Sequence, residues 1–446
     1  MPTYGVGGAG VIDPTNYVGV VVNSTLAGVS KDSSGSFVPS LSGLGTANIF
    51  ADWVNNNYAA AGATQSTLAA WIAALGGTYS RAGAATFIDS NGVLRTAAAN
   101  VPRFMGSLGL RLTGPVTNLL LQSNNMLVSG VWATYSPAPV QNVMGPDNVA
   151  NSGWTHSSGI GATNVMQNAI SGAGTTAYTA SCFIRQGTAP SPVFGLNDST
   201  GSTWLCLVRY TWTAGVPVGT LITGAGTFAP PVQLVGGWWM LSHTGTPAAT
   251  GHTLVALLYP ETQVAANCTG LNTQTYGWQI TNTSFQADYV PTAATNPAQA
   301  ADALSFPYTQ TTFSALLITT NQSVSTGAFR FLGTNSSPSV LSINSVGPVT
   351  IAQYNGTSQN STSAAIGTLV SIKKMMSAGS PSGRGIIIDG VSVHPDVNAY
   401  FNAAPTSLVV GSQGGTANWS YGNNLSMAIW NGVVASNTDM QRLTTL

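Results

Sequence analysis

The stretch "TWLCLVRYTW", residues 203–212, decides how the chain folds. Read with the two-residue period of a strand, it puts Trp204, Cys206, Val208, Tyr210 and Trp212 on one face and Leu205, Leu207 and Arg209 on the other. Its neighbours read the same way. "AYTASCFIRQ", residues 177–186, alternates, and "GGWWMLSHTGT" (236–246) and "GHTLVALLYP" (251–260) are apolar runs bounded by Gly or Pro. Past residue 303, eight further short strand candidates follow at roughly regular spacing, from "TTFSALLITT" to "LSMAIWNGVV", which is the signature of a sandwich. Within them Asp389-Gly390 supplies the two positive-φ positions of a tight hairpin turn.

The rest is punctuation. Residues 1 to about 60 read as irregular, with Gly, Pro, Asn and Ser breaking short apolar runs. One helix is predicted in "TQSTLAAWIAALGG" (64–77), where Leu68, Trp71, Ile72 and Leu75 recur at helical spacing. Ser66 is its expected N-cap and Gly76 or Gly77 its stop. "PTAATNPAQAADA" (291–303) lacks an apolar period and reads as a linker, and "SNTDMQRLTTL" (436–446) as a capped terminal helix. The expected fold class is therefore all-β. Two tandem antiparallel β-sandwiches, or jelly rolls, follow an irregular N-terminal segment carrying one short helix. The expected boundaries are 1–62 for an attachment segment, 63–115 for a connecting segment, 116–300 for the first sandwich and 301–446 for the second.

Charge is almost absent. Asp, Glu, Lys and Arg make up 5% of the 446 residues, against about 25% in ordinary soluble proteins. A neutral surface rich in hydroxyls and amides offers little repulsion between copies, which suits a permanently assembled protein. A formal net charge of zero argues against nucleic acid, whose binding rests on phosphate neutralisation, and gives no handle on anionic lipid. "MPTYGVGGAG" has no basic leader, and the early apolar run "VGVVVNSTLAGV" is too short to span a bilayer, so membrane insertion is not expected. Cys182, Cys206 and Cys268 match no disulfide framework or metal spacing; buried thiols are expected, with pairing of Cys182 and Cys206 left open.

Against that background, "RAGAATFIDSNGVLRTAAANVPRF" (81–104) is the exception. Arg81, Arg95 and Arg103 fall inside it and Arg111 follows, out of nine arginines and three lysines in all. Such an irregular segment has many carbonyls without ladder partners, and an Arg fork can serve several at once. These four arginines are read as structural pins; an anion-binding patch for acidic polysaccharide is the alternative.

The same run carries a resemblance. Arg81, Ala84, Ala85, Thr86 and Phe87, then Asp89, Gly92 and Val93, then Ala98, Ala99, Pro102, Arg103 and Phe104, then Thr117 to Leu121, resemble a signature of virion proteins from tailed bacteriophages and related gene-transfer particles. There the segment leads into a jelly roll similar to carbohydrate-binding modules. Trp132, "YTASCFIRQGT", "GGWWMLS" and "YGWQITNTSFQADYVPT" resemble that module's later landmarks, with Thr281 where a Glu is usual. The chain from 301 resembles a concanavalin-like lectin sandwich. The resemblance implies a tail fibre, head fibre or decoration protein on the virion surface, assembled in the host cytoplasm and released by lysis. It would attach to other virion proteins through its N-terminal segment, bind host-surface polysaccharide, and form a homo-oligomer, with a trimer favoured.

Chemistry is harder to find than contact. Glycoside hydrolysis needs two convergent carboxylates, and Asp198, Asp288, Asp302 and Glu261 stand apart in sequence. His156, His243, His252 and His394 show no metal spacing, and "GVGGAG" (5–10) has no strand before it. No enzyme activity, cofactor or metal is expected. Sugars are held by aromatic faces plus hydroxyl and amide hydrogen bonds. The carbohydrate-binding candidates are Trp154 with His156, the face of Trp204, Tyr210 and Trp212, and Trp419 with Tyr421. Core or inter-subunit packing is the competing use of each, whereas Trp132, Trp238 and Trp278 are assigned to the core. Three functions remain open: glycan adhesion, a purely architectural particle component, and a polysaccharide depolymerase.

Overall fold

The computed structural model describes residues 29–31, 37–41, 45–61, 63–133, 137–162, 166–321, 328–334, 339–344, 350–354, 359–362, 372–380, 383–388, 406–411 and 422–444. The chain is nearly all β, in several antiparallel sheets, as the period-two runs require. Among the described residues no helix is long and apolar enough to cross a membrane.

Two compact units share the chain. The first takes residues 86–96 and 116–299 and the second most of the remainder, so the first is an insertion in the sequence of the second. In the first unit a six-stranded sheet runs in the order Trp132–Ala133, Met166–Ala173, His252–Tyr259, Val193–Asp198, Thr203–Thr213, Val216–Thr223. A seven-stranded sheet is built around Tyr178–Arg185, which lies between Asn272–Thr281 and Trp238–Gly245. The core of this unit holds Trp132, Trp154, Cys182, Phe194, Cys206, Tyr210, Trp239 and Trp278, all nearly inaccessible.

The second unit has a nine-stranded and a seven-stranded sheet. Its central strands, Phe313–Asn321 and Gly422–Asn431, pair along nearly their whole length. Ile49–Asp52 adds to Gly422–Asn431 and pairs on its other side with Asn57–Ala60. Thr78–Ser80 pairs with Ala303–Pro307. The second sandwich thus begins well before residue 301, and part of the segment expected to stand apart at 1–62 belongs to its sheet. The reason is apolar: Ile49, Ala51 and Tyr58 alternate in a pattern that fits the core face, yet the surrounding Asn-rich turns mask it in sequence.

The helix runs Leu68–Ala74, and its N-cap is Thr67 rather than Ser66: Thr67 Oγ1 accepts from the Ala70 backbone N–H at 3.1 Å. Trp71 anchors it. Its ring meets Trp53 and Phe306 edge-on at 6.3 and 6.1 Å, and its indole N–H donates to the Ala59 carbonyl at 3.0 Å. The terminal helix, Asn437–Thr444, starts at Ser436, whose hydroxyl accepts from the Asp439 backbone N–H at 3.1 Å. The run at 291–303 is not a bare linker. Within it Ala298–Gln299 pairs with Val116–Thr117, and the Thr292 hydroxyl and Asn296 amide donate to the carbonyls of Leu120 and Asn118. The hairpin expected at Asp389-Gly390 and His394 lie outside the described residues.

Candidate functional site

The arginine-rich segment resolves first. Asp302, fully buried, accepts from Arg81 Nη1 at 3.0 Å, from the Tyr79 hydroxyl at 2.6 Å, from the Thr113 backbone N–H at 2.9 Å and from Arg103 Nη2. Arg81 Nη1 also donates to the Tyr79 hydroxyl at 2.9 Å, and the other donors go to carbonyls: Nε on Gly83 at 3.1 Å, Nη2 on Ala98 at 2.6 Å and on Ala97 at 3.3 Å. Arg111 is buried too, with Nη1 on Asn423 Oδ1 at 3.3 Å. Buried side chains engaged in this way cannot meet an outside anion. Arg95 differs from the other three: it is exposed and pairs with Asp89 across a hairpin at 2.9 Å, and it pins no carbonyl among the described residues.

The first carbohydrate candidate is interior. Trp154 and His156 lie in the strand Gly153–Ser157, which pairs with Asn272–Thr281, and are 2% and 1% exposed. The Gly and Ser around them look loop-like but are strand residues here. Trp154 donates to the Asn124 carbonyl at 3.0 Å, and His156 Nε2 shares a 2.5 Å hydrogen bond with the Thr275 hydroxyl. Burial pushes the His156 imidazole down to about 3. Neither residue can stack on a sugar. Trp419 and Tyr421 lie outside the described residues.

The second candidate is divided. Cys206, Val208 and Tyr210 face the core, with Trp212 half-buried against it. The Tyr210 hydroxyl is bonded to His243 Nε2 at 2.8 Å, with zero exposure at either residue. Trp204 has left this face. Gly195 pairs with Leu207, and Asn197, two residues on, pairs with Trp204 instead of Leu205. Leu205 is therefore an extra residue, a β-bulge, and every side chain before it changes face. Trp204 joins Leu207 and Arg209 on the face opposite the core.

That face can be read row by row from the register. Trp204, Asn197, Val255 and Ala169 form one row; Leu207, Gly195 and Leu257 the next; Arg209, Val193 and Tyr259 the third. Thr211 and Ser191 continue the series, their hydroxyls 3.4 Å apart. Gly195 shapes the middle. A Cβ there would sit 2.7 Å from Leu207 Cδ1 and 3.0 Å from Trp204 Cζ3. Its absence lets the half-buried indole lie down over the sheet. Asn197 donates to the Thr203 carbonyl at 3.1 Å, which ties off the adjoining turn. The Trp204 row ends at Ala169, in the wall of a cleft of about 450 Å³ whose lining includes Tyr178, Asn282 and Asn296. This arrangement offers a half-buried aromatic ring seated on a buried aliphatic floor, with hydroxyls and amides beside it. It is equipped for recognition of an extended polar ligand. Val193, Gly195, Asn197 and Tyr259 were not selected from the sequence. The bulge that brings Trp204 to them has no local sequence mark beyond a break in an alternation that apolar residues on both sides conceal.

Two further carboxylates among the described residues, Glu261 and Asp198, are occupied. Glu261 accepts from the Ser158 hydroxyl, the Thr269 hydroxyl at 2.6 Å and the backbone N–H groups of Thr269 and Leu271. Burial raises its pKa, but these hydrogen bonds outweigh it and hold the group below the usual carboxylate range. Asp198 receives His252 Nδ1 at 2.6 Å and the Gly201 backbone N–H at 2.9 Å, and is likewise held low against the effect of burial. Cys182, Cys206 and Cys268 are buried free thiols.

No protein-family profile matches this chain, and no curated protein matches it in sequence. Among solved structures it is similar to domain 4 of an extracellular arabinanase from Geobacillus stearothermophilus, solved with arabinotriose, at 14% identity and a TM-score of 0.27, covering 36% of this chain and 82% of that one. It is also similar to the sialidase of Trypanosoma rangeli at 11% identity and a TM-score of 0.26; 67% of this chain is covered, and the match spans about half of the sialidase, 54%.

Proposed function

We propose that the chain is a non-enzymatic adhesion protein whose inserted sandwich binds glycan on the face of Trp204, displayed in many copies on a bacteriophage particle. The observation that carries the glycan reading is the bulge at Leu205, which delivers Trp204 onto the bed left by Gly195. A flat indole with hydroxyl and amide groups along the same face matches the mixed apolar and polar surface of a sugar. The non-enzymatic reading is supported by Asp198, Glu261 and Asp302, each held by donors from the chain itself. The particle reading is supported by the signature from Arg81 to Leu121 and by a surface nearly free of charge. Single sites would bind weakly, and copies on one particle would multiply the effect.

A glycan array probed with the intact protein and with Trp204→Ala tests this. Binding to host-surface polysaccharide that the variant loses is the expected result. Equal binding by both proteins would move the site elsewhere, and no binding by either would favour an architectural role. Shortening of the polysaccharide on incubation would replace adhesion by hydrolysis. Detection of the protein in purified particles checks its location.

A further inference from the structure

We infer that the Trp204 face selects a carboxylate-bearing saccharide, a uronic acid, through Arg209; this rests on the glycan reading above. The argument is one of elimination among cations. In the inserted unit there are three arginines, Arg95, Arg185 and Arg209. Arg95 is paired with Asp89. Arg185 lies over the Trp238 ring at 5.5 Å and reaches the Met144 carbonyl at 3.5 Å. Arg209 alone among the three is exposed with a side chain that makes no hydrogen bond, ion pair or ring contact among the described residues.

Its position gives that freedom a use. Arg209 lies on the same face as Trp204, two rows along the strand Thr203–Thr213, which is about 13 Å at the rise of a strand. Between them the floor is Leu207 and Gly195, and beside Arg209 are Val193, which is fully buried, and Thr220 on the next strand. No Asp or Glu occupies any of these rows. Asp198, the only acid on the strand Val193–Asp198, is turned to the other face and satisfied there by His252 and Gly201. A guanidinium placed among neutral groups, with no acid on its face, favours a carboxylate, which it can grip with two parallel N–H donors. The Thr211 and Ser191 hydroxyls lie in the row beyond it. A sugar stacked on Trp204 would place a unit further along its chain over Arg209.

The test uses the intact protein, a galacturonic acid oligomer and a neutral gluco-oligosaccharide of the same length. The expected result is at least tenfold tighter binding of the uronate. Arg209→Gln should abolish that preference by weakening the uronate at least tenfold, and 0.5 M salt should weaken the uronate alone. Trp204→Ala should weaken both. Equal affinity of the unaltered protein for the two sugars, or a preference that survives Arg209→Gln, overturns the role of Arg209 while the Trp204 site stands. Binding of both sugars unaffected by Trp204→Ala overturns the site itself. Because the Arg209 side chain is exposed and makes no hydrogen bond or ion pair among the described residues, Arg209→Gln should match the parent in thermal midpoint, and a lower midpoint would refute that premise.

Discussion

Arg81 and Asp302, 221 residues apart in sequence, form a 3.0 Å ion pair with neither side chain exposed. Arg103 joins from the other carboxylate oxygen. One carboxylate thus ties together the three sequence pieces of the second unit, on both sides of the inserted one. The pair is close in space and remote along the chain, and it acts beside the strand pairing of Thr78–Ser80 with Ala303–Pro307.

Asp302→Ala is therefore expected to remove the carboxylate that two buried guanidinium groups share. Removing one partner of a buried pair costs about 3–5 kcal/mol, and the loss of the Tyr79 and Thr113 hydrogen bonds adds to it. Urea unfolding followed by tryptophan fluorescence measures this. A loss under about 1 kcal/mol, the value of an exposed pair, would show that the network contributes little.

The arginine cluster was legible as an anomaly and, at Arg81, as a donor of hydrogen bonds to carbonyls. Its acid was not, because Asp302 lies at the end of a run that lacks any periodicity. Legibility along the strands depended on local regularity. Tyr178–Arg185 and His252–Tyr259 are unbroken and were readable. The strand Thr203–Thr213 was readable as a strand, but the face of Trp204 was not, because a single extra residue reverses every side chain beyond it. Trp154 and His156 failed differently: their burial comes from pairing with a strand more than a hundred residues away.

Acid should weaken the inserted unit through its two interior histidines. Burial pushes His156 and His243 down to about 3, whereas an unfolded imidazole titrates near 6.5. Below that value the unfolded chain takes up protons that the folded chain refuses. Stability is full above about pH 6.5 and falls as the pH drops from there toward 3, by up to about 1.4 kcal/mol per unit for each histidine. Unfolding midpoints measured from pH 7 to 4 should fall. His243→Phe, placed among Phe194 and Phe228, should flatten the slope, and an unchanged slope would remove His243 from the account.

The three thiols should be silent in the native protein. Burial raises Cys206 to about 11 and lifts Cys182 well above the usual range; burial and the Glu261 carboxylate raise Cys268. The thiolate is the reactive form, so an aromatic disulfide reagent at pH 8 should label none of them until denaturant is added, and then all three. Prompt labelling of one thiol without denaturant would locate a local opening at that residue.

Gly195→Ala separates the Trp204 bed from the strand that carries it. The added methyl would lie 2.7 Å from Leu207 Cδ1 and 3.0 Å from Trp204 Cζ3. Both are outer atoms of side chains on the face away from the core, so they can shift outward while the ladder on either side of Gly195 stays intact. Gly195 has no positive φ that an alanine would strain. Stability should fall by only about 1–3 kcal/mol, the range for overpacking. The indole, however, loses the flat seat that the glycine gives it. Glycan affinity should drop at least tenfold, and the fluorescence maximum of the folded protein should move as Trp204 becomes more exposed. If the variant bound glycan like the parent, the ring would not need its seat on Gly195, and the platform would have to be sought elsewhere on the sheet.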